Sequence, residues 1–159
     1  PPSGGGGGLL ADLISRADIA NRAHADLFLS IHCDAMPNHT GIGSQTIYGR
    51  AASETWARDV YHALLDGMGH GGTGLHFRPN IKVTEYTDMP ATLAELGFLD
   101  NEVDAVKLVD PSFRQREAEI LFHAFECYYD GTDYTSLRLT PNFPAIPDQP
   151  TPVSTVPMD

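Results

Sequence analysis

A short apolar run that ends in a histidine constrains the fold of this chain more than any other feature. The run covers residues 27–32 (LFLSIH), and small and polar residues follow it at once. An apolar run of this length, bounded by turn residues, predicts a buried strand. In open α/β sheets the chemistry lies just beyond the carboxyl ends of the strands, so we expect His32 to project into a crevice from a rigid element.

A second apolar run, residues 89–98 (MPATLAELGF), contains a single carboxylate, Glu95. A lone buried charge is costly, so Glu95 must pair, bind a metal or take up a proton. Both residues also have ordinary interpretations, since His32 can be a hydrogen-bonded strand-end histidine and Glu95 can pair with an arginine or lysine. Imidazole and carboxylate are natural zinc ligands, however, and a glutamate near a zinc-bound water can act as a general base.

The spacing of apolar residues predicts helices that alternate with short strands. Ser53, Asn101 and Asp110 are the expected helix N-caps, and Gly131 is expected to end the last helix. This order of elements favours an α/β fold with a largely parallel sheet. We expect helices over residues 9–25, 53–67, 102–108 and 111–130, strands over 27–33, 43–49, 80–85 and 91–95, and a long glycine-rich loop over 67–74.

The two ends of the chain differ in composition from its middle. Residues 1–8 (PPSGGGGG) are expected to be a flexible Gly-rich linker, and residues 132–159, which hold half of the 12 prolines, a Pro-rich tail or linker. Residues 9–131 are expected to form one domain, since a chain of 159 residues that is 42% hydrophobic can bury a single core. Because this region opens on a helix, we expect the first strand or strands of its sheet to lie upstream of Pro1.

Charge and cysteine usage narrow the possible partners. The net charge is −11 and lysines and arginines do not cluster, which argues against nucleic acid and anionic membranes as partners. No apolar stretch reaches the roughly 18 residues that a membrane span needs. The two cysteines, Cys33 and Cys127, form no CxxC motif, and we expect them to be unpaired and mostly buried thiols.

Several motifs in a fixed order resemble one enzyme family. They are Arg16 with residues 19–21 (IAN), residues 25–32 (ADLFLSIH), residues 41–42 (GI), residues 89–101 (MPATLAELGFLDN) and residues 113–114 (FR). Together they resemble the zinc-dependent N-acetylmuramoyl-L-alanine amidases of the amidase-3 type, which cut bacterial peptidoglycan. The resemblance covers roughly residues 9–130.

The resemblance implies a twisted, mostly parallel sheet flanked by helices, with one zinc ion held by two histidines and a glutamate. His32 matches the second zinc histidine of the family, and Glu95 matches a further glutamate that acts as the general base. In that mechanism zinc activates a water and Glu95 takes the water's proton. The bond that is hydrolysed joins N-acetylmuramic acid to L-alanine of the stem peptide.

The departures from the family matter as much as the matches. The family's first zinc histidine and its glutamate ligand precede the region that this chain covers, and no residue here occupies either place. Residues 69–72 (GHGG) imitate the turn around that first histidine but lie downstream of His32, so we expect His70 to be a loop residue. We therefore expect this isolated chain to bind zinc poorly and to be inactive. Glu85 and Asp88 stand where the family often has an arginine and a lysine, which implies a more acidic site. Asp34 also departs from the family, and we expect it to cap a turn or to hydrogen-bond near the metal.

Three functions are therefore open. The first is a zinc amidase that opens peptidoglycan, acting in the cell envelope, as a secreted protein or after delivery by a phage. The second is a non-catalytic cell-wall binding or regulatory module, a degenerate amidase that keeps the cleft without the metal. The third is a structural α/β domain in which His32 and Glu95 pair with protein groups. The Pro-rich tail fits either a spacer to a further wall-binding module or a free tail.

Overall fold

The computed structural model describes residues 7–69 and 71–132, and these form one layered α/β unit. Helices pack on both faces of a four-stranded sheet. In chain order the elements are α1 (Gly7–Arg22), β1 (Phe28–Asp34), β2 (Ser44–Tyr48), a 3-10 turn (Ala51–Ser53), α2 (Glu54–Met68), β3 (Gly72–Phe77), α3 (Lys82–Glu85), β4 (Ala91–Phe98), α4 (Glu102–Val109) and α5 (Pro111–Asp130).

The strands lie in the order β1-β4-β2-β3. The β1–β4 and β2–β3 pairs are parallel, and the central β4–β2 pair is antiparallel. The expected α/β fold with a mostly parallel sheet is therefore confirmed, with one antiparallel pair at its centre. All eight residues of β4 are buried, because this strand has neighbours on both sides and is covered on both faces.

Two apolar clusters cover the two faces of the sheet. The larger cluster joins α2 and α5 to one face and includes Trp56, Leu64, Leu96 and Ile120. Trp56 is fully buried, its indole N–H donates a hydrogen bond to the Phe28 carbonyl at 3.1 Å, and its ring lies 4.5 Å from the ring of Phe125. The smaller cluster covers the other face beneath α1 and α3, and it comprises Ile47, Val83 and Leu93 with partly buried Leu13, Phe28 and Ile81.

Two of the expected elements are wrong. The predicted loop over 67–74 is instead the end of α2, a left-handed turn at Gly69 (φ 64°) and the start of β3. Gly72 pairs with Ser44 of the neighbouring strand, and the position requires glycine because a Cβ there would lie 2.8 Å from the Ser44 carbonyl oxygen. The predicted strand over 80–85 is the single helical turn α3, from which Val83 reaches the smaller cluster. Alternation of Ile81 and Val83 imitated a strand because both side chains face the core from a short turn.

Other boundaries shift less. Helix α1 ends at Arg22 rather than residue 25, and His24 follows in a left-handed conformation (φ 51°). Ser53 precedes α2 but makes no capping bond, since its hydroxyl accepts the Ala91 N–H at 3.0 Å instead. The N-caps of α4 and α5 and the left-handed Gly131 are as expected.

The predictions for the two ends fall mostly outside the described residues. Of the expected linker over 1–8, residues 7 and 8 are described and belong to α1, while the expected tail is described only at Thr132. In the described part of the chain, no helix is both long and apolar enough to cross a bilayer. Cys33 is exposed, Cys127 is buried, and both are free thiols, so the expected burial of Cys33 is wrong.

Candidate functional site

Strands β1 and β4 bring His32 and Glu95 together. His32 is the register partner of Glu95 in the parallel ladder, and neighbours in register point to the same face of a sheet. Phe28 and Leu93 precede them by even numbers of residues on the same strands and belong to the smaller apolar cluster. The two side chains therefore share the face on which α1 and α3 pack, near the carboxyl ends of both strands.

Glu95 is a buried carboxyl whose affinity for a proton is unusually high. It is 8% exposed, and among the described residues its Oε2 has no hydrogen-bond partner. Burial, helped by the negative charge of Asp34 and opposed by the positive charge of Arg78, raises the pKa of Glu95 to about 7. A carboxyl with this pKa exchanges protons near neutral pH, which suits a general base.

His32 lies half-buried at the end of β1. Its Nε2 is 3.0 Å from the hydroxyl of Ser30, two residues earlier on the same face. This contact orients the imidazole ring from the strand itself. The ring therefore has the position and the chemistry of a metal ligand or of a hydrogen-bonding residue.

A buried amide links the strands around this pair. Gln45 on β2 is the antiparallel register partner of Glu95 and is 2% exposed. Its Nε2 donates to Oδ2 of Asp34 at 2.8 Å, and its Oε1 accepts from the hydroxyl of Thr73 at 3.5 Å. Asp34 also accepts the Ala35 N–H at 2.8 Å, so its carboxylate binds both the turn after β1 and the Gln45 amide.

Gln45 and Arg78 were not predicted from the sequence as site residues. The only sequence signal for Gln45 is its place in a short predicted strand, residues 43–49. Arg78 has no such signal, because it follows β3 in a segment that the sequence predicts as irregular. Both become neighbours of Glu95 only through the strand order.

The loop after His32 is tied to the end of β4. The buried carboxylate of Asp104 accepts the N–H groups of Gly43 at 2.7 Å and Phe98 at 3.0 Å. Asn101 donates from Nδ2 to the Gly41 carbonyl at 2.9 Å. Gly41 is required here, since a Cβ at this position would lie 2.3 Å from the Phe98 ring. These hydrogen bonds therefore hold the segments that follow β1 and β4 against each other.

Three further polar residues have structural roles. Asn21, at the end of α1, donates to the Tyr86 carbonyl at 2.8 Å and accepts the Asp88 N–H at 2.9 Å, so it braces α1 against the turn before β4. His39 is an exposed turn residue (φ 55°) whose Nδ1 lies 2.9 Å from Oδ2 of Asp100. Glu85 pairs with Lys82 at 2.6 Å within α3.

The residues that the structure describes do not make a complete zinc site. Within residues 7–69 and 71–132, no group of three histidine, cysteine, aspartate or glutamate side chains is placed to hold a metal ion. His32 fits one ligand position, and the unpaired oxygen of Glu95 fits a base beside it, whereas a catalytic zinc takes three protein ligands. His70, in the GHGG segment of residues 69–72, lies outside the described residues.

Comparison with known proteins finds relatives among cell-wall amidases. The sequence profile described as N-acetylmuramoyl-L-alanine amidase matches residues 9–126. The N-acetylmuramoyl-L-alanine amidase LytC of Bacillus subtilis (strain 168) is 31% identical over 121 residues, which are 74% of this chain and 24% of LytC. The endolysin of Bacillus phage SPP1 is 32% identical over 114 residues, which are 68% of this chain and 42% of the endolysin.

A solved structure shows the same likeness. The catalytic domain of CwlV, an N-acetylmuramoyl-L-alanine amidase from Bacillus (Paenibacillus) polymyxa var. colistinus, superimposes with a TM-score of 0.70 at 30% identity, over 74% of this chain and 65% of that domain. Two further relatives are the uncharacterized cell wall amidase pXO2-42 of Bacillus anthracis and the uncharacterized protein YqiI of Bacillus subtilis (strain 168). The chain spans 23% of the length of the first and 58% of the length of the second. With a profile match over most of its length and a shared fold, the chain belongs to the N-acetylmuramoyl-L-alanine amidase family.

Proposed function

We propose that this chain carries the His32 and Glu95 part of an amidase centre that hydrolyses peptidoglycan. The bond concerned joins N-acetylmuramic acid to L-alanine of the stem peptide. The observation that carries the proposal is the register pairing of His32 with Glu95 on one sheet face, where one oxygen of the Glu95 carboxyl has no hydrogen-bond partner among the described residues. Membership of the amidase family supports the choice of substrate.

Glu95 acts as the general base in this proposal. Its carboxylate takes a proton from the attacking water while the water oxygen adds to the amide carbonyl carbon. The same proton then passes to the nitrogen of L-alanine as the C–N bond breaks, which leaves a carboxylic acid on the muramic acid and a free amine on the peptide. The raised pKa of Glu95, about 7, suits it to hold the proton between the two steps.

His32 acts as one ligand of a zinc ion. When bound, zinc lowers the pKa of a water and polarises a carbonyl group. β1 holds the imidazole in line with Glu95, and Ser30 orients the ring. The remaining ligands are proposed to come from residues upstream of this chain, so the isolated chain is proposed to be inactive. The substrate would place the protein in the cell envelope, outside the cell or in phage-delivered form, with room for a further wall-binding module beyond the Pro-rich tail.

A second candidate function is a non-catalytic cell-wall binding or regulatory module. The observation that favours it is that residues 7–69 and 71–132 hold no group of three metal-ligating side chains. Such a module would bind peptidoglycan on the sheet face beside His32 without cutting it.

The test compares two forms of the protein with purified peptidoglycan and excess zinc. One form is the chain itself. The other joins it to the N-terminal segment of a related amidase that supplies a histidine and a glutamate. We expect the joined form alone to release new amino groups, and Glu95→Gln to lower its rate by about 100-fold or more, as for loss of a general base. Glu117→Gln, a matched change on the other side of the sheet, should keep the activity.

Hydrolysis by the isolated chain with zinc would contradict the incomplete ligand set. A joined form that folds and binds peptidoglycan without releasing amino groups would favour the non-catalytic module. Full activity of the Glu95→Gln joined form would show that the base is a different residue.

A further inference from the structure

Arg78 carries a positive charge that forms no ion pair within the described chain. The residue is exposed, and its guanidinium makes no hydrogen bond or salt bridge with residues 7–69 and 71–132. Most other cations of these ranges are engaged. Those that pair with a carboxylate on their own helix are Arg16, Arg22, Arg58 and Lys82, and those that donate to a backbone carbonyl are Arg50 and Arg114. Arg78 is therefore available to an anionic ligand.

The register of the strands places Arg78 on the same sheet face as Glu95. His76 on β3 pairs with Ile47 on β2. Ile47 in turn pairs with Leu93, which lies two residues before Glu95 and on the same face of β4. Arg78 lies two residues after His76, and a hydrogen bond of 2.8 Å from its N–H to the last carbonyl of β2 extends the alternation of side chains to it.

The charge of Arg78 acts on Glu95 across this face. It opposes the rise in the pKa of Glu95, although the two groups form no direct ion pair. Arg78 lies four residues along the strands and two strands across from Glu95. This offset corresponds to about 16 Å between the Cα atoms. Both side chains are long, so the space between the two charged groups is that of a short peptide segment.

Only one side of the bond to be hydrolysed offers carboxylates. On the other side lies a sugar whose own carboxyl group is part of the amide, with neutral hydroxyl and acetamido groups around it. The stem peptide is a peptide chain, which carries carboxylates at its end and on any acidic residue. A guanidinium binds a carboxylate through two parallel hydrogen bonds. Arg78 therefore favours a substrate whose peptide lies over β2 and β3 and whose sugar lies towards β1.

We propose that Arg78 binds a carboxylate of the residue that follows L-alanine in the stem peptide, and so determines the direction and the specificity of substrate binding. This inference rests on the proposed amidase function, since it assigns a subsite to the same sheet face. Stem peptides with a free carboxylate at that residue bind more tightly than those in which a carboxamide replaces it. Arg78 contributes to binding alone, so its loss raises KM and leaves kcat unchanged.

The experiment measures the binding of two soluble ligands to the full chain by NMR titration. One is N-acetylmuramoyl-L-alanyl-D-glutamate, and the other is the same compound with both glutamate carboxyls converted to carboxamides. We expect the acid to bind about tenfold more tightly than the diamide, as for a charge-assisted bidentate pair, and Arg78→Gln to remove this preference. Arg78→Lys keeps the charge without the paired geometry, so it should retain part of the preference.

Arg58→Gln is the matched control for the loss of a positive charge. Arg58 lies on α2, which packs on the other face of the sheet, so this variant should keep the full preference for the acid. Equal affinities for the two ligands, no binding of the acid, or a preference that Arg78→Gln leaves intact would overturn the proposal. A preference that Arg58→Gln also removes would show a general effect of net charge and would overturn it as well.

Hydrolysis by the chain joined to the N-terminal segment of a related amidase separates this proposal from the proposed function. If the joined form cleaves both ligands with the same KM, the amidase function stands and the Arg78 subsite is rejected. If the acid binds in a manner that depends on Arg78 and the joined form cleaves neither ligand, the subsite stands and the non-catalytic module is favoured.

Discussion

Two glutamates, Glu95 on β4 and Glu117 on α5, are 8% and 2% exposed. Burial raises the pKa of each to about 7. Beside Glu117, the charge of Arg114 lowers the pKa and that of Asp104 raises it. The two carboxyls therefore have similar proton affinities, and only Glu95 shares a sheet face with His32. Location rather than pKa distinguishes a candidate catalytic group from a buried structural one.

This pair yields a prediction for stability against pH. Each folded pKa lies above the unfolded value of about 4.3, so the folded state binds more protons between these values. The stabilising contribution of each neutral carboxyl is present below about pH 4 and is lost as the pH rises through 7. We expect Glu95→Gln and Glu117→Gln each to raise the free energy of unfolding at pH 8, by about 1–3 kcal/mol, with the gain vanishing towards pH 4.

Urea unfolding between pH 4 and pH 8 measures this difference directly. A gain that is equal at all pH values would show that the effect comes from packing and not from ionisation. The two variants should differ in peptidoglycan hydrolysis when each is made in the chain joined to the N-terminal segment of a related amidase. Only Glu95→Gln should lose this activity.

At the scale of elements, side-chain caps define the starts of the last two helices. Asn101 accepts the N–H groups of Val103 at 3.0 Å and Asp104 at 3.3 Å, and Asp110 accepts that of Ser112 at 2.8 Å. The side chain of Asn101 also donates a hydrogen bond to the Gly41 carbonyl, so the start of α4 positions the loop after His32.

We expect Asn101→Ala to lower the free energy of unfolding by about 1–3 kcal/mol, because it removes a helix cap and a hydrogen bond to a loop. Asn101→Asp keeps the capping oxygen and loses only the donor to Gly41, so its loss should be smaller. Urea unfolding at neutral pH compares the three proteins. Equal losses for both variants would mean that the cap contributes little.

At the scale of the whole molecule, β1 lies at one edge of the sheet. Among the described strands, none pairs with its outer side. β1 contains no proline or lysine, and its Ile31 is 56% exposed. Edge strands without such residues readily pair with other chains. The net charge of −11 opposes contact between copies, and salt screens that repulsion.

We therefore expect the chain to self-associate as its concentration and the salt concentration rise, and Ile31→Lys to reduce this association. Ile19→Lys is the matched control, because Ile19 is 60% exposed on α1 and lies outside the edge strand. Sedimentation velocity over a concentration series measures the effect. A monomer under all conditions, or equal effects of the two variants, would argue against pairing through β1.

The sequence alone predicted what neighbouring residues encode. The apolar run before His32, the isolated carboxylate Glu95 and the caps Asn101 and Asp110 are local signals, and the strands and helix starts that they predict are present. The motifs in residues 9–130 were sufficient to predict the family. The roles of His32 and Glu95 in zinc binding and proton transfer stay predictions.

Tertiary structure decided what depends on residues far apart in the chain. Gly72 is a glycine because its strand passes close to Ser44, and Ile81 and Val83 belong to a helical turn and its start, so the local pattern misassigned both segments. The strand order brings Gln45 beside Glu95. Burial of β4 on both faces raises the pKa of Glu95, and burial is a property of the packed layers that no stretch of sequence encodes by itself.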